Sequence, residues 1–209
     1  PPGLSRYFFC NSGAETVEAA IKLARKYSRE KYGPDRYEII TALASFHGRT
    51  MATVSATGQE KVQKFFDPLL HGFRHVPFND ADALRKAITN CTCAVMLEPI
   101  QGEGGIRPFT DAQLKRIRAL CDRTGALLIF DEVKTGFRLA KGGAAEYFGV
   151  TPDLATYAKA MGNGYPAAAF GGRREVMEVL PDKVSHGGTY AGNRVAAAAA
   201  VKTLSIIRD

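Results

Sequence analysis

The sequence predicts a three-layer α/β/α fold around a mainly parallel sheet of about seven strands. Two observations predict it. Apolar runs of strand length alternate with helical patterns from one end of the chain to the other, and several of these runs are continuously apolar, as strands covered on both faces read. No Asn-Gly or Asp-Gly pair stands as a two-residue turn between two such runs, so crossover connections are expected throughout. A chain of 209 residues with 45% hydrophobic and 23% charged content is long enough to bury one sizeable core, and a single domain over 1–209 is expected.

Tyr7–Cys10 reads as the first strand and runs directly into a helix. Ser12 is placed to cap that helix and Glu15, three residues on, to complete a capping box; Val17, Ala20, Ile21, Ala24 and Tyr27 form the inward stripe, and Gly33-Pro34 is the stop. Glu38–Leu43, Phe73–Val76 and Ala94–Leu97 follow as strands rich in Ile, Val and Leu. Pro99 to Phe109 is too glycine-rich and too bounded by proline for a helix and reads as an irregular loop. Long loops in compact domains are usually functional or disordered, and Glu98, Glu103 and Arg107 favour function here. Thr110 opens a second capped helix with Gln113 as its box partner and Leu114, Ile117, Leu120 and Cys121 on one face, and Gly125 ends it. It delivers the chain to the strand Leu127–Phe130, after which Leu154–Tyr157 and Ala167–Phe170 complete the set.

Bulk properties exclude several classes. No stretch approaches the roughly 20 consecutive apolar residues of a membrane span, and Pro1-Pro-Gly-Leu-Ser-Arg-Tyr7 lacks a basic segment leading into an apolar one, so a soluble, unexported protein is expected. The four cysteines are scattered, and Cys91-Thr-Cys93 is too tight and isolated for a zinc site; free thiols in a reducing cytoplasm fit. The net charge of +7 comes mostly from residues such as Lys22, Arg25, Lys26 and Arg29, at helical spacing among acids, which reads as a solvated helix face and not a nucleic-acid surface. The excess still favours anionic ligands such as a phosphate or a carboxylate.

The candidate chemistry lies where strands end. Asn11-Ser12-Gly13-Ala14 offers free amides, a hydroxyl and the positive end of a helix dipole, which together suit a phosphate; an ordinary serine-capped helix start has the same sequence. Asp131 follows the apolar run Ala126–Phe130, so a parallel strand would carry its carboxylate to the sheet edge where ligands bind. There it suits a protonated pyridine nitrogen, although an Asp-Glu pair after an apolar strand also describes the Walker B strand of a nucleotide hydrolase. That alternative requires a GxxxxGK[ST] loop, which the sequence lacks. Lys159 lies between Tyr157 and Gly162-Asn-Gly164; partly desolvated it would form a Schiff base with an aldehyde, and taken singly it is an ordinary surface lysine. An acid and a lysine one crossover apart are suited to hold the two ends of an electron-sink cofactor, pyridoxal phosphate. Phe46, after the second strand, suits a flat cofactor face or the core. The four histidines show no i, i+4 pairing, so neither a metal site nor a histidine base is expected.

These segments resemble a known family. Asn11-Ser-Gly-Ala-Glu15, Phe46-His-Gly-Arg-Thr50, Glu98-Pro-Ile-Gln-Gly-Glu103, Asp131-Glu-Val133, Lys159 and Gly188-Thr-Tyr-Ala-Gly-Asn193 stand in the order and spacing of the class III aminotransferases that depend on pyridoxal phosphate. Phe46 to Asp80 is most similar to acetylornithine and ornithine aminotransferases, and Asp131 to Asn193 also resembles glutamate-1-semialdehyde aminomutases. The resemblance implies the large domain of a fold type I transferase. It also implies that Lys159 carries the cofactor Schiff base and shuttles the substrate proton, while Asp131 holds the pyridinium nitrogen. Phe46 and Val133 would pack on the two ring faces, and Ser12, Gly13 and Ala14 would bind the phosphate. Thr189 would reach the cofactor phosphate of the neighbouring subunit in a homodimer, and Glu103 would match an acid that pairs with a mobile arginine near the substrate.

Two departures qualify the likeness. Lys134 stands where the ornithine-type enzymes have glutamine near the cofactor's phenolic oxygen. The family also carries an amino-terminal segment and a small carboxy-terminal domain beyond the span matched by 1–209, and that small domain supplies an arginine for the substrate carboxylate. The 209-residue chain alone is therefore expected to hold pyridoxal phosphate and to transaminate poorly. The expected reaction moves an amino group between an amino acid or ω-amine and a 2-oxo acid. An aminomutase or racemase on the same scaffold, and a non-catalytic cofactor-binding or dimerisation module, stand as the other readings.

Overall fold

The computed structural model describes residues 3–180 and 186–208. Its strands are β1 (Arg6–Cys10), β2 (Glu38–Ala42), β3 (Phe73–Val76), β4 (Thr92–Leu97), β5 (Ile100–Gln101), β6 (Arg107–Pro108), β7 (Leu127–Asp131), β8 (Leu154–Tyr157) and β9 (Ala168–Gly172). The helices are α1 (Gly13–Tyr32), α2 (Met51–Ala56), α3 (Glu60–Gln63), α4 (Ala81–Ala87), α5 (Asp111–Thr124), α6 (Gly143–Phe148), α7 (Arg174–Met177) and α8 (Arg194–Arg208), with a 3-10 turn at Lys159–Met161. Among the described residues no helix is long and apolar enough to cross a membrane.

Seven strands form one sheet in the order β1-β9-β8-β7-β4-β2-β3. The pairs β3–β2, β2–β4, β4–β7 and β7–β8 are parallel. Successive residues of the central strands supply opposite faces. Ile39, Met96, Leu127 and Ile129 pack with Val17, Ile21 and Leu23 of α1, while Ile40, Val95, Leu128 and Phe130 pack with Leu84 of α4 and Leu114 and Ile117 of α5. Every residue of β4 and β7 is buried. This is the three-layer arrangement that continuous apolar strands require.

The capping box at Ser12 forms as the sequence predicts: Ser12 Oγ accepts from the Glu15 amide at 3.3 Å and Glu15 Oε2 from the Ser12 amide at 3.2 Å. Three expectations are corrected. The β8-to-β9 connection is not a crossover, because β9 runs antiparallel to both β8 and β1. The intervening segment 158–167 turns back through Asn163 (φ 45°) and Gly164 (φ 103°), an Asn-Gly pair suited to left-handed backbone. The stretch Pro99–Phe109 is not wholly irregular, since β5 and β6 pair in it as a two-stranded antiparallel ribbon. At α5 the Thr110 hydroxyl does accept from the Gln113 amide, but the Gln113 side chain accepts from the Ala81 amide at 2.9 Å and so ties α5 to α4 instead of closing a box.

The edge of the sheet where β7 and β8 begin is held by Asp153. Its buried carboxylate accepts from the Leu128 amide at 2.7 Å, Arg118 at 2.8 Å and Arg173 at 2.7 Å. Asp153→Ala leaves one buried amide without its acceptor and takes one of its partners from each of two guanidinium groups, and is expected to cost about 2 kcal/mol of unfolding free energy in urea. Asp82→Ala, which breaks only the exposed pair with Arg116, is expected to cost less than about 1 kcal/mol by the same measurement.

Candidate active site

A cleft of about 350 Å³ opens at the carboxyl edge of the parallel strands, and the ends of β1, β2, β4, β7 and β8 contribute to its wall. From the β1–α1 turn come Ser12, Gly13 and Ala14; from the segment after β2, Phe46, His47 and Arg49; from the segment after β4, Glu98 and Glu103; from the end of β7, Asp131, Val133 and Lys134; and from the segment after β8, Lys159. Gly13 and Ala14 open α1, where backbone amides have no acceptor within the helix. A side chain at Gly13 would be crowded, since an added Cβ would stand 3.0 Å from both Val133 methyl groups. This donor set, two free amides and a hydroxyl at a helix start, suits a phosphate.

Asp131 is buried and fully engaged. Oδ2 lies 2.8 Å from His47 Nδ1, while Oδ1 accepts from Thr156 Oγ1 and from the Val133 amide, each at 3.1 Å. His47 was missed by sequence reasoning because a lone histidine carries no spacing signal; here it stands behind the acid, not as a metal ligand or a free base. Glu132 points elsewhere. It accepts from the Ala144 and Ala145 amides at 2.7 and 2.9 Å and from Thr135 Oγ1 at 2.9 Å, which anchors the start of α6. The second acid of the pair is therefore structural, unlike that of a nucleotide hydrolase.

Lys159 begins the 3-10 turn with φ 42°, a left-handed conformation that costs a non-glycine residue of the order of 1 kcal/mol and is concentrated at functional sites. Its carbonyl accepts from the Gly162 and Asn163 amides, which fix the turn. The expected partial desolvation is not met: Lys159 is exposed, because the cleft around it is open to solvent. Phe46 is half-buried, its amide donates to Glu98 Oε2 at 2.9 Å, and the Arg49 guanidinium lies 5.3 Å from its ring centroid. Glu98 also accepts from the Gly102 amide at 3.3 Å, so one buried acid ties two wall segments together. Thr189 is the one predicted site residue that the fold leaves outside this cleft; it sits on an exposed turn before α8.

Burial opposes a charge on His47, but its hydrogen bond to Asp131 and the Asp131 and Glu98 charges outweigh that and raise its pKa above the ordinary 6.5. Burial raises Glu98, against the pull of His47.

The whole span 1–209 matches the family model described as aminotransferase class-III. The chain belongs to the class-III aminotransferase family. An acetylornithine aminotransferase of Myxococcus xanthus is 50% identical over 207 residues, which cover 99% of this chain and 51% of that protein. Among solved structures, an ornithine aminotransferase of Toxoplasma gondii ME49 superposes with a TM-score of 0.93 at 35% identity, covering 99% of this chain and 50% of that one. An omega transaminase of Pseudomonas jessenii in complex with PMP gives a TM-score of 0.93 at 28% identity, over 100% of this chain and 53% of that one. The chain thus spans about half the length of the curated relatives it matches. Its sheet and helices are those of the transaminase fold, as the sequence resemblance implied.

The His47 contact yields a pH test for this class-III aminotransferase chain. A raised native pKa means that the stabilisation from charged His47 is fully present below about pH 6.5 and is lost as pH rises through the native value. Urea midpoints measured from pH 6 to 9 are expected to fall with pH in the wild type and to fall less steeply in His47→Gln, which keeps a donor but does not titrate.

Proposed function

We propose that this chain is the cofactor-bearing part of a transaminase that uses pyridoxal phosphate to move an amino group between an amino acid or ω-amine and a 2-oxo acid. One observation carries the reading: a buried, histidine-backed aspartate, a lysine on a strained turn and the free amides of a helix start meet in one cleft. Family membership and relatives named as aminotransferases support it, and favour amino transfer over the aminomutase, racemase and non-catalytic readings. PMP, the aminated form of the same cofactor, in a related structure supports the cofactor assignment.

Each wall residue then has a task. The Gly13 and Ala14 amides and the Ser12 hydroxyl hold the phosphate dianion at the positive end of α1. Asp131, oriented by His47, Thr156 and the Val133 amide, would hold the protonated pyridine nitrogen. Phe46 and Val133 would flank the ring, and the Lys159 amine would hold the cofactor's aldehyde end and move the proton at the substrate's amino-bearing carbon. The cofactor supplies an electron sink for negative charge at the amino-bearing carbon. Glu103 and Arg49 at the mouth face the substrate. Thr189, on its exposed turn, would contribute to the neighbouring site of a homodimer, and a cytoplasmic location goes with this reading.

Purified protein given pyridoxal phosphate is expected to gain a visible absorbance band, and borohydride to fix the cofactor covalently on the peptide containing Lys159. If Lys159→Ala retains reducible attachment, the lysine assignment is wrong. Keto product formed with PMP left on the protein would separate amino transfer from isomerisation.

A further inference from the structure

Phe46 and His47 reach the cleft on a strap, residues 46–50, that leads into α2 and lies along one face of α1. Ala14 and Glu18, one turn apart on α1, mark that face. A Cβ added to Gly48 would stand 3.3 Å from Ala14 Cβ and 2.5 Å from Thr53 Oγ1, so the strap passes the first turn of α1 as bare backbone, with φ 136°. Two residues on, Glu18 Oε1 accepts from Thr50 Oγ1 at 2.5 Å, and it also accepts from the Ala52 amide at 3.3 Å. Thr50 is the N-cap of α2 and Ala52 lies in its first turn, where amides have no acceptor inside the helix. One half-buried carboxylate of α1, outside the lining of the cleft, thus caps α2 and ties down the end of the strap. Elsewhere the strap is held from other elements: the Phe46 amide donates to Glu98 and the His47 amide to Thr57 Oγ1, each at 2.9 Å.

We propose that Glu18 is a positioning residue that, through Thr50 and Ala52, sets the place of Phe46 and His47 against the start of α1. The proposal rests on the transaminase reading, in which the α1 start takes the cofactor phosphate and Phe46 one face of its ring. Two walls carried by separate elements must keep one spacing if they are to serve a rigid ligand, and a contact behind the walls has to hold it. Both bonds end on the same oxygen of Glu18, so the tie needs an acceptor at that point and not a charge. A glutamine amide oxygen meets the same need.

The test compares the purified wild-type chain with Glu18→Ala and Glu18→Gln. Without cofactor, Glu18→Ala is expected to speed hydrogen exchange of the Phe46 and His47 amides at least about threefold, the effect of losing one hydrogen bond of ordinary strength. With pyridoxal phosphate added, it is expected to weaken binding about three- to tenfold and to lower the circular dichroism of the visible band per bound cofactor, a signal set by how the ring is held. A loss of global stability alone does not move that signal. Glu18→Gln is expected to stay within about twofold of wild type throughout. Unchanged exchange at Phe46 and His47, or unchanged dichroism per bound cofactor, in Glu18→Ala overturns the proposal, as does an equal loss in Glu18→Gln. A wild-type chain that shows no visible band overturns the transaminase reading instead, and the exchange rates then decide by themselves whether Glu18 places the strap.

Discussion

Strand direction is the constraint from which the site follows. β2, β3, β4, β7 and β8 are mutually parallel, and β1 shares their direction because β9 is antiparallel both to it and to β8. Whatever follows each of these strands must therefore emerge at one edge of the sheet. That is why Ser12, Phe46, Glu98, Asp131 and Lys159, scattered over most of the sequence, line one cleft. Burial enforces the direction in turn. Strands covered by helices on both faces need crossovers of helical length, and those crossovers return each chain segment to the same starting edge. The single reversed strand, β9, is entered through the turn that Lys159 begins, so the lysine sits where the sheet changes direction.

A buried carboxylate is costly unless its partners are already in place. β7 is held at both ends by such acids. At its start the Leu128 amide donates to Asp153, which also gathers Arg118 from α5 and Arg173 from the segment after β9. At its end Asp131 is paired in register with Thr156 of β8, and the threonine hydroxyl reaches the carboxylate from that neighbouring strand. His47 closes the remaining side. The carboxylate is thereby fixed before any ligand arrives, as an electrostatic site requires if it is to spend little on reorganisation.

Much of this could be read from local pattern. The seven principal strands have the apolar runs expected of them, and the Ser12 box and the α5 stripe fall where periodicity puts them. What could not be read depends on distant partners. His47 meets Asp131 across 84 residues, and Glu98 meets the Phe46 amide across 52. No spacing rule links such residues; only the convergence of strand ends does. The Gln113 side chain was misassigned for the same reason, since its partner at Ala81 lies 32 residues back. Reversal at β9 did carry a local signal in Asn163-Gly164, but it sits inside a longer connection, where the Asn-Gly pair does not by itself specify a hairpin. The β5–β6 ribbon, two residues to a side with Pro108 as one of them, is too short to show periodicity at all.

The division between buried and exposed charge also explains how the site can combine a fixed chemistry with a variable rim. Electrostatic interactions strengthen as water is excluded, so the His47–Asp131 contact in the interior outweighs any single contact at the mouth. A change at Asp131 would leave His47 and Thr156 with unsatisfied polar groups in the core. Lys134 and Glu103 share neither a core contact nor that penalty; both project into solvent, and their attraction is screened by salt. A substitution at Lys134 therefore changes the charge of the rim without disturbing the buried acid at the end of β7.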